Sequence, residues 1–94
     1  MAFDISDTMR FERDFEKLTR KHHEVLEYAR YARQILSADP YNVSRQYKIK
    51  KLTDIPAGDG QWRLTAGRYR IRYDIRGKIV ELHSFKPRKD AYRE

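Results

Sequence analysis

The chain has 94 residues, no cysteine and a net charge of +7, and 39% of its residues are hydrophobic. This composition is typical of a globular protein, and the length predicts one domain over residues 1–94 with no room for a dinucleotide-binding fold. The missing cysteines exclude disulfides and thiolate chemistry, and they favour a cytoplasmic protein over a secreted one. The sequence shows no signal-peptide pattern and no apolar run near the ~20 residues of a membrane span, so no membrane partner is expected.

The first half of the chain predicts a helical hairpin. A short strand is expected over residues 3–5, followed by a helix capped at residues 7–8. The apolar stripe of that helix is Phe11, Phe15 and Leu18. A second amphipathic helix is expected over residues 22–37, and it ends before Pro40 because proline disfavours a helical conformation in the preceding residue.

The hydrophobic period changes to two after a turn-rich connector, residues 41–60. Alternating segments at 62–66, 69–75 and 79–83 are separated by turn signals at Gly67 and Gly77. This pattern predicts a three-stranded antiparallel meander. The expected fold class is therefore α+β, with an N-terminal helical hairpin packed on a small antiparallel β-sheet.

The excess positive charge lies in the second half of the chain. Residues 1–47 contain eight basic and eight acidic side chains, whereas residues 48–94 contain thirteen and six. Strand alternation places Arg63, Arg70 and Arg72 on the sheet face opposite the helices, where Arg63 and Arg70 could converge on one phosphate. We interpret this face as a surface for a polyanion such as nucleic acid. The alternatives are a solvated basic surface, or a pair between Arg70 and Glu81.

Metal-dependent and nucleotide-hydrolysing chemistry are not expected. The adjacent His22 and His23 point in different directions, His83 has no acidic cluster with metal spacing, and no glycine-rich phosphate loop is present. A site made of arginine, lysine and tyrosine can still cleave RNA, because the ribose 2′-hydroxyl is an internal nucleophile. The protein then has to hold an in-line geometry, stabilise negative charge and move protons. Tyr92, in a basic tail, is either such a proton-transfer group or an aromatic anchor.

Residues 62–73, WRLTAGRYRIRY, resemble the central signature of the RelE/ParE toxin superfamily, which is roughly W-R-x-x-x-G-x-Y-R-I-x-Y. The apolar stripe of the first helix, the Lys50-Lys51-Leu52 segment and the Tyr92-Arg93 tail are also similar to that superfamily. The resemblance implies the RelE-like α+β fold. RelE-like members are ribosome-dependent endoribonucleases that cut mRNA, and ParE-like members poison DNA gyrase.

The resemblance also implies roles for individual residues. The positions that match catalytic residues of the RelE-like branch are Arg63, Arg70, Lys86, Arg88 and Tyr92. The further residues expected to bind RNA are Lys48, Lys50, Lys51, Arg72 and Lys89. Two positions depart from the pattern: Thr65 replaces a basic strand residue, and Pro87 stands where many relatives carry histidine. No metal or cofactor is implied.

The basic residues before the tail, together with Arg70 and Tyr92, favour the RelE-like branch. The expected function is that of a type II toxin, a metal-independent endoribonuclease acting on ribosome-bound mRNA. The expected partners are the ribosome, mRNA and a cognate antitoxin that covers the basic face. The alternatives are a ParE-like gyrase poison and a basic RNA-binding module without catalysis.

Overall fold

The computed structural model describes residues 2–91, which form a five-stranded sheet with two long helices on one face. The helices are α1 (Met9–Thr19), α2 (Val25–Ala38) and α3 (Arg88–Ala91). The strands are β1 (Asp4–Asp7), β2 (Ile49–Lys51), β3 (Trp62–Ala66), β4 (Tyr69–Arg76) and β5 (Ile79–Pro87). No helix within residues 2–91 is long and apolar enough to cross a membrane.

The strand order is β1-β5-β4-β3-β2, so the predicted meander β3-β4-β5 forms the centre of the sheet. The structure adds one strand at each edge: β2 pairs antiparallel with β3, and β1 pairs parallel with β5. The sequence pattern gave no sign of β2, because it is a three-residue strand inside a turn-rich connector. The parallel pairing of β1 arises because the two helices carry the chain across the sheet before β2 begins.

The two long helices pack on the same face of the sheet. Thr8 caps α1: its Oγ1 accepts from the Phe11 amide at 3.2 Å and donates to the Leu82 carbonyl of β5 at 2.7 Å. The predicted stripe of α1 faces inward, with Phe11 buried and Phe15 and Leu18 partly buried. Helix α2 begins at Val25, three residues later than expected, because residues 20–24 form turns.

The core lies between the helices and the inner face of the sheet. Its buried strand residues are Leu64, Ala66, Tyr69, Ile71, Tyr73, Val80, Leu82 and Phe85. The fully buried Tyr73 donates its hydroxyl to the Pro40 carbonyl at 2.7 Å, which ties the end of α2 to the sheet. Burial raises the pKa of Tyr73, so this hydroxyl remains a donor.

A β-bulge in β5 determines which side chains reach the outer face, defined here as the sheet face opposite α1 and α2. Arg72 pairs with Ser84 but Tyr73 pairs with Leu82, so His83 is an extra residue in β5. Strict alternation from Leu82 would turn Lys86 inward; the bulge instead turns Phe85 into the core. Lys86 therefore lies on the outer face.

Candidate nucleic-acid interface

Basic side chains from three neighbouring strands meet on the outer face. Arg63 of β3 lies opposite Arg72 of β4, and Arg70 of β4 lies opposite Lys86 of β5. Cross-strand partners share a sheet face and have Cβ atoms about 5 Å apart, so these pairs place four cations side by side. The alternation of β3 and β4 predicted the three arginines on this face. The bulge in β5 adds Lys86.

These residues line a cavity of about 210 Å³, here called the basic pocket. Its lining residues are Leu52, Thr53, Ile55, Arg63, Arg70, Arg72, Ser84 and Lys86. Binding sites for drug-sized molecules and cofactors usually occupy about 300–1,000 Å³, so the basic pocket is small for such a ligand. Its size and charge suit a phosphate group with part of its nucleotide.

The guanidinium groups of the basic pocket are held on rigid strands. Arg70 is only 7% exposed, and Arg63 and Arg72 are partly buried. Like charges on facing strand positions destabilise a sheet, and the cost rises as water is removed. An anion bound among these side chains is attracted by all of them, so the arrangement favours phosphate over neutral ligands. Guanidinium groups also match two phosphate oxygens with two parallel N–H donors.

The wall of the basic pocket is the connector that precedes β3. The connector residues that line the pocket are Leu52, Thr53 and Ile55. The Leu52 amide donates to the Gln61 carbonyl at 2.7 Å. The Arg72 Nε atom donates to the Gly60 carbonyl at 3.1 Å. The connector therefore contacts one of the cations directly.

The other predicted RNA-binding residues lie in different places. Lys50 pairs with Arg63 and so extends the basic row on the outer face to strand β2. Lys51 pairs with Trp62, and its ammonium lies 5.6 Å from the centre of the indole ring, away from the outer face. Lys48 lines a separate groove beside α2. Alternation separates Lys50 from Lys51, so the run of lysines does not act as one patch.

The predicted site residues of the tail, catalytic Arg88 and Tyr92 and RNA-binding Lys89, follow β5 in the sequence. Arg88 and Lys89 are exposed at the start of α3, and the Arg88 amide donates to the Arg68 carbonyl at 2.7 Å. This bond ties the beginning of α3 to the turn between β3 and β4. Tyr92 lies outside the described residues.

Two residues that the sequence did not assign to the catalytic site also line the basic pocket. Arg72, expected to bind RNA, lines the pocket together with the predicted catalytic residues Arg63, Arg70 and Lys86. Ser84 was not predicted, because strict alternation in β5 would place it in the core. For Arg72 the signal was present in the sequence, since it shares the strand parity of Arg70.

No family model and no curated protein sequence matches the chain. Solved structures do match over nearly the whole chain. In the RelBE2 toxin–antitoxin complex from Mycobacterium tuberculosis, one chain superposes with a TM-score of 0.71 at 20% identity, covering 93% of this chain and 99% of that one. In the E. coli DinJ-YafQ toxin–antitoxin complex, one chain superposes with a TM-score of 0.70 at 16% identity, covering 98% of this chain and 99% of that one. In the archaeal RelE-RelB complex from Pyrococcus horikoshii, one chain superposes with a TM-score of 0.66 at 22% identity, covering 94% of this chain and 97% of that one.

The chain has the RelE-like toxin fold. This confirms the fold class expected from the strand signature and the helical hairpin. In the RelE-like fold of this chain, the signature residues 62–73 form β3, the following turn and the first part of β4. They supply three of the four cations of the basic pocket, and the bulged strand β5 supplies the fourth.

The RelE-like sheet of this chain also carries a cluster that the sequence did not predict. The expectation that His83 stands apart from acidic residues is wrong, because ligand-type atoms of Asp74, Glu81 and His83 lie within 4.8 Å of one another. The His83 Nε2 atom lies 2.9 Å from the Asp74 Oδ2 atom and 3.8 Å from the Glu81 Oε1 atom. Alternation around the buried Leu82 turns both Glu81 and His83 to the outer face. Asp74 shares the strand parity of Arg70 and Arg72, so the sequence did carry a signal for this cluster.

The carboxylates of this cluster have other contacts. Asp74 accepts hydrogen bonds from three backbone amides within residues 58–61. Glu81 forms an ion pair with Arg76 at 3.1 Å, and the register places Arg70 opposite Lys86 rather than opposite Glu81. The contacts of Asp74 therefore serve the connector.

Proposed function

We propose that this protein is the toxin of a type II toxin–antitoxin system, acting in the cytoplasm as a metal-independent endoribonuclease on ribosome-bound mRNA. The observation that carries the proposal is the basic pocket, in which cations from three adjacent strands converge on a space that suits a phosphate. The RelE-like fold supports it, as does the similarity to chains solved in RelBE2 and DinJ-YafQ toxin–antitoxin complexes.

In the proposed reaction, the ribose 2′-oxygen attacks the adjacent phosphorus and the bond to the 5′-oxygen of the next nucleotide breaks. The products are a 2′,3′-cyclic phosphate and a 5′-hydroxyl. A base removes the proton of the 2′-hydroxyl, and an acid protonates the leaving 5′-oxygen. We assign the transfer of these protons and the stabilisation of the leaving 5′-oxygen to Lys86, Arg88 and Tyr92.

The negative charge that develops on the phosphate oxygens is met by Arg63, Arg70 and Arg72. Donors fixed before the reaction stabilise a transition state without the cost of reorganising, and one such donor contributes about 10²–10³-fold to the rate. Strands fix side chains more firmly than loops do, and all three arginines are on β3 or β4. The residues proposed to contact RNA are Lys50, which continues the basic row, and Lys48, Lys51 and Lys89.

The proposal includes the ribosome because the basic pocket is small and its polar groups are mainly cations that suit a phosphate. A surface of this kind binds the phosphate backbone with little sequence preference. The alignment of the 2′-hydroxyl with the leaving oxygen then has to come in part from the ribosome, which holds the mRNA. A cognate antitoxin is the proposed second partner, and it would suppress cleavage by covering the cations of the outer face.

The test is brief induction followed by primer extension on several mRNAs. The expected result is cleavage within translated frames, and cleavage that disappears when the start codon is removed. Purified protein, treated with EDTA and freed of the chelator before it meets intact ribosomes, should cleave as fast as untreated protein. Intact mRNA together with loss of plasmid supercoiling would favour a gyrase poison instead. Binding of RNA without either effect would favour a non-catalytic module.

A further inference from the structure

Asp74 of β4 binds residues 58–61, which precede β3, through three hydrogen bonds. Its Oδ2 atom accepts from the amides of Gly58 at 2.9 Å and Gly60 at 3.1 Å, and its Oδ1 atom accepts from the amide of Gln61 at 2.8 Å. Asp74 is only 5% exposed. A buried carboxylate needs such partners, and bonds from amides to an ionised oxygen are stronger than neutral ones.

The Gly60 backbone in turn rests directly on Arg72. The Gly60 carbonyl accepts from the Arg72 Nε atom at 3.1 Å. A Cβ atom at Gly60 would lie 2.8 Å from the Arg72 Cβ atom, and the φ angle of +83° also disfavours other residues. Gly60 therefore contacts Arg72 through its backbone, so the position of the loop limits the position of the guanidinium.

Gln61 connects the segment held by Asp74 to the wall of the basic pocket. Its carbonyl accepts from the Leu52 amide at 2.7 Å, and its side-chain Nε2 atom donates to the Ile55 carbonyl at 2.9 Å. Leu52 and Ile55 both line the basic pocket. One carboxylate on β4 therefore fixes the segment that supplies both the apolar wall and the hydrogen bond to Arg72.

We propose that Asp74 is a positioning residue for phosphate recognition: by holding residues 58–61 against the sheet, it fixes the Arg72 guanidinium and the wall of the basic pocket. The inference rests on the proposed function in one respect, namely that the ligand of the pocket is the scissile phosphate. Asp74 acts through Arg72 and does not touch the substrate. The His83 Nε2 atom lies 2.9 Å from the same Oδ2 atom.

The test is Asp74→Asn, which keeps the shape of the side chain but turns one acceptor into an NH₂ donor. Because both oxygens accept from amides, either orientation of the new amide places a donor against a backbone N–H. We expect a loss of about 10²-fold in single-turnover cleavage of saturating ribosome-bound mRNA, the effect of a small misplacement, with KM nearly unchanged. The matched control is Asp59→Asn, which removes the same charge from an exposed position of the same connector.

A double-mutant cycle with Arg72→Ala separates positioning from folding. If Asp74 acts through Arg72, Asp74→Asn has little further effect on cleavage in the Arg72→Ala protein. Two losses that multiply would overturn the proposal. Where Asp74→Asn does not fold by circular dichroism, Gly60→Ala replaces it in the cycle, because the added Cβ displaces the same loop and leaves the carboxylate in place.

Amide hydrogen exchange gives a readout that does not require cleavage. In Asp74→Asn, the amides of Gly58, Gly60 and Gln61 should exchange at least about tenfold faster, while those of β4 and β5 keep their protection. Unchanged protection at these three amides would overturn the proposal. If the unmodified protein cleaves no mRNA, the proposed function fails, and the anchoring role of Asp74 is then decided by the exchange experiment alone.

Discussion

Arg70 lies directly opposite Lys86 in the β4–β5 pair, although strict alternation along β5 would turn Lys86 toward the helices. The bulge at His83 accounts for this relationship. It changes the parity of the strand between Leu82 and Phe85, so both residues are buried while Lys86 reaches the outer face. One extra residue thus completes the core and the basic pocket together.

The first prediction concerns Phe85 and Lys86, which are adjacent on β5 and face opposite sides of the sheet. Phe85→Ala should lower the free energy of unfolding by about 3–5 kcal/mol, because it empties a buried aromatic site against Phe11 and Tyr69. Lys86→Ala should change it by about 1 kcal/mol or less, since Lys86 lies on the outer face. Urea denaturation of both variants measures the contrast. Equal effects, or the reverse order, would show that the bulge does not set the faces of β5.

The second prediction concerns the charge of the basic pocket. Arg70→Ala should lower single-turnover cleavage of ribosome-bound mRNA by about 10²-fold or more, on the scale of one preorganised donor. Arg70→Lys should restore only part of the rate, because an ammonium lacks the planar fork that binds two phosphate oxygens. Arg76→Ala is the matched control on the same strand, at an exposed position. Normal cleavage by a folded Arg70→Ala protein would remove Arg70 from the catalytic residues.

The alternation of β3 and β4 was enough to predict the arginines of the outer face and the core residues opposite them. The strand signal is strong there because Leu64, Ile71 and Tyr73 are buried between strongly polar neighbours. The bulge could not be predicted, because His83 and Ser84 carry no turn or glycine signal in the sequence. The anchor formed by Asp74 is also invisible, since its partners are backbone amides brought close only by the tertiary fold.

The third prediction concerns acid stability. The Asp39 carboxylate accepts from the Ser44 hydroxyl at 2.6 Å and from the amides of Val43 and Ser44, and these bonds hold its pKa below the usual value. A carboxyl whose pKa is lower in the folded state stabilises the fold above the unfolded pKa of about 3.9, and this contribution is lost as pH falls through the folded pKa.

Asp39→Asn should therefore lower the melting temperature at pH 7 and have a progressively smaller effect as the pH falls below about 4. Thermal unfolding followed by circular dichroism from pH 7 to pH 2 measures the difference. Asp54→Asn, at an exposed position in the connector, serves as the charge-matched control. A difference between Asp39→Asn and the parent that stays constant over this pH range would contradict the assigned hydrogen bonds.

The last prediction separates the two roles that the sequence leaves open for Tyr92. If the hydroxyl takes part in proton transfer, Tyr92→Phe keeps the ring and removes only the chemistry, so cleavage should fall by about 10²–10⁴-fold. If the ring is only an anchor for the tail, Tyr92→Phe should cleave as the parent does, and Tyr92→Ala alone should fail. Single-turnover cleavage of ribosome-bound mRNA by the three proteins measures this, with circular dichroism as the control for folding. Full activity in Tyr92→Phe would assign the proton-transfer role to Lys86, which lies in the basic pocket beside Arg70.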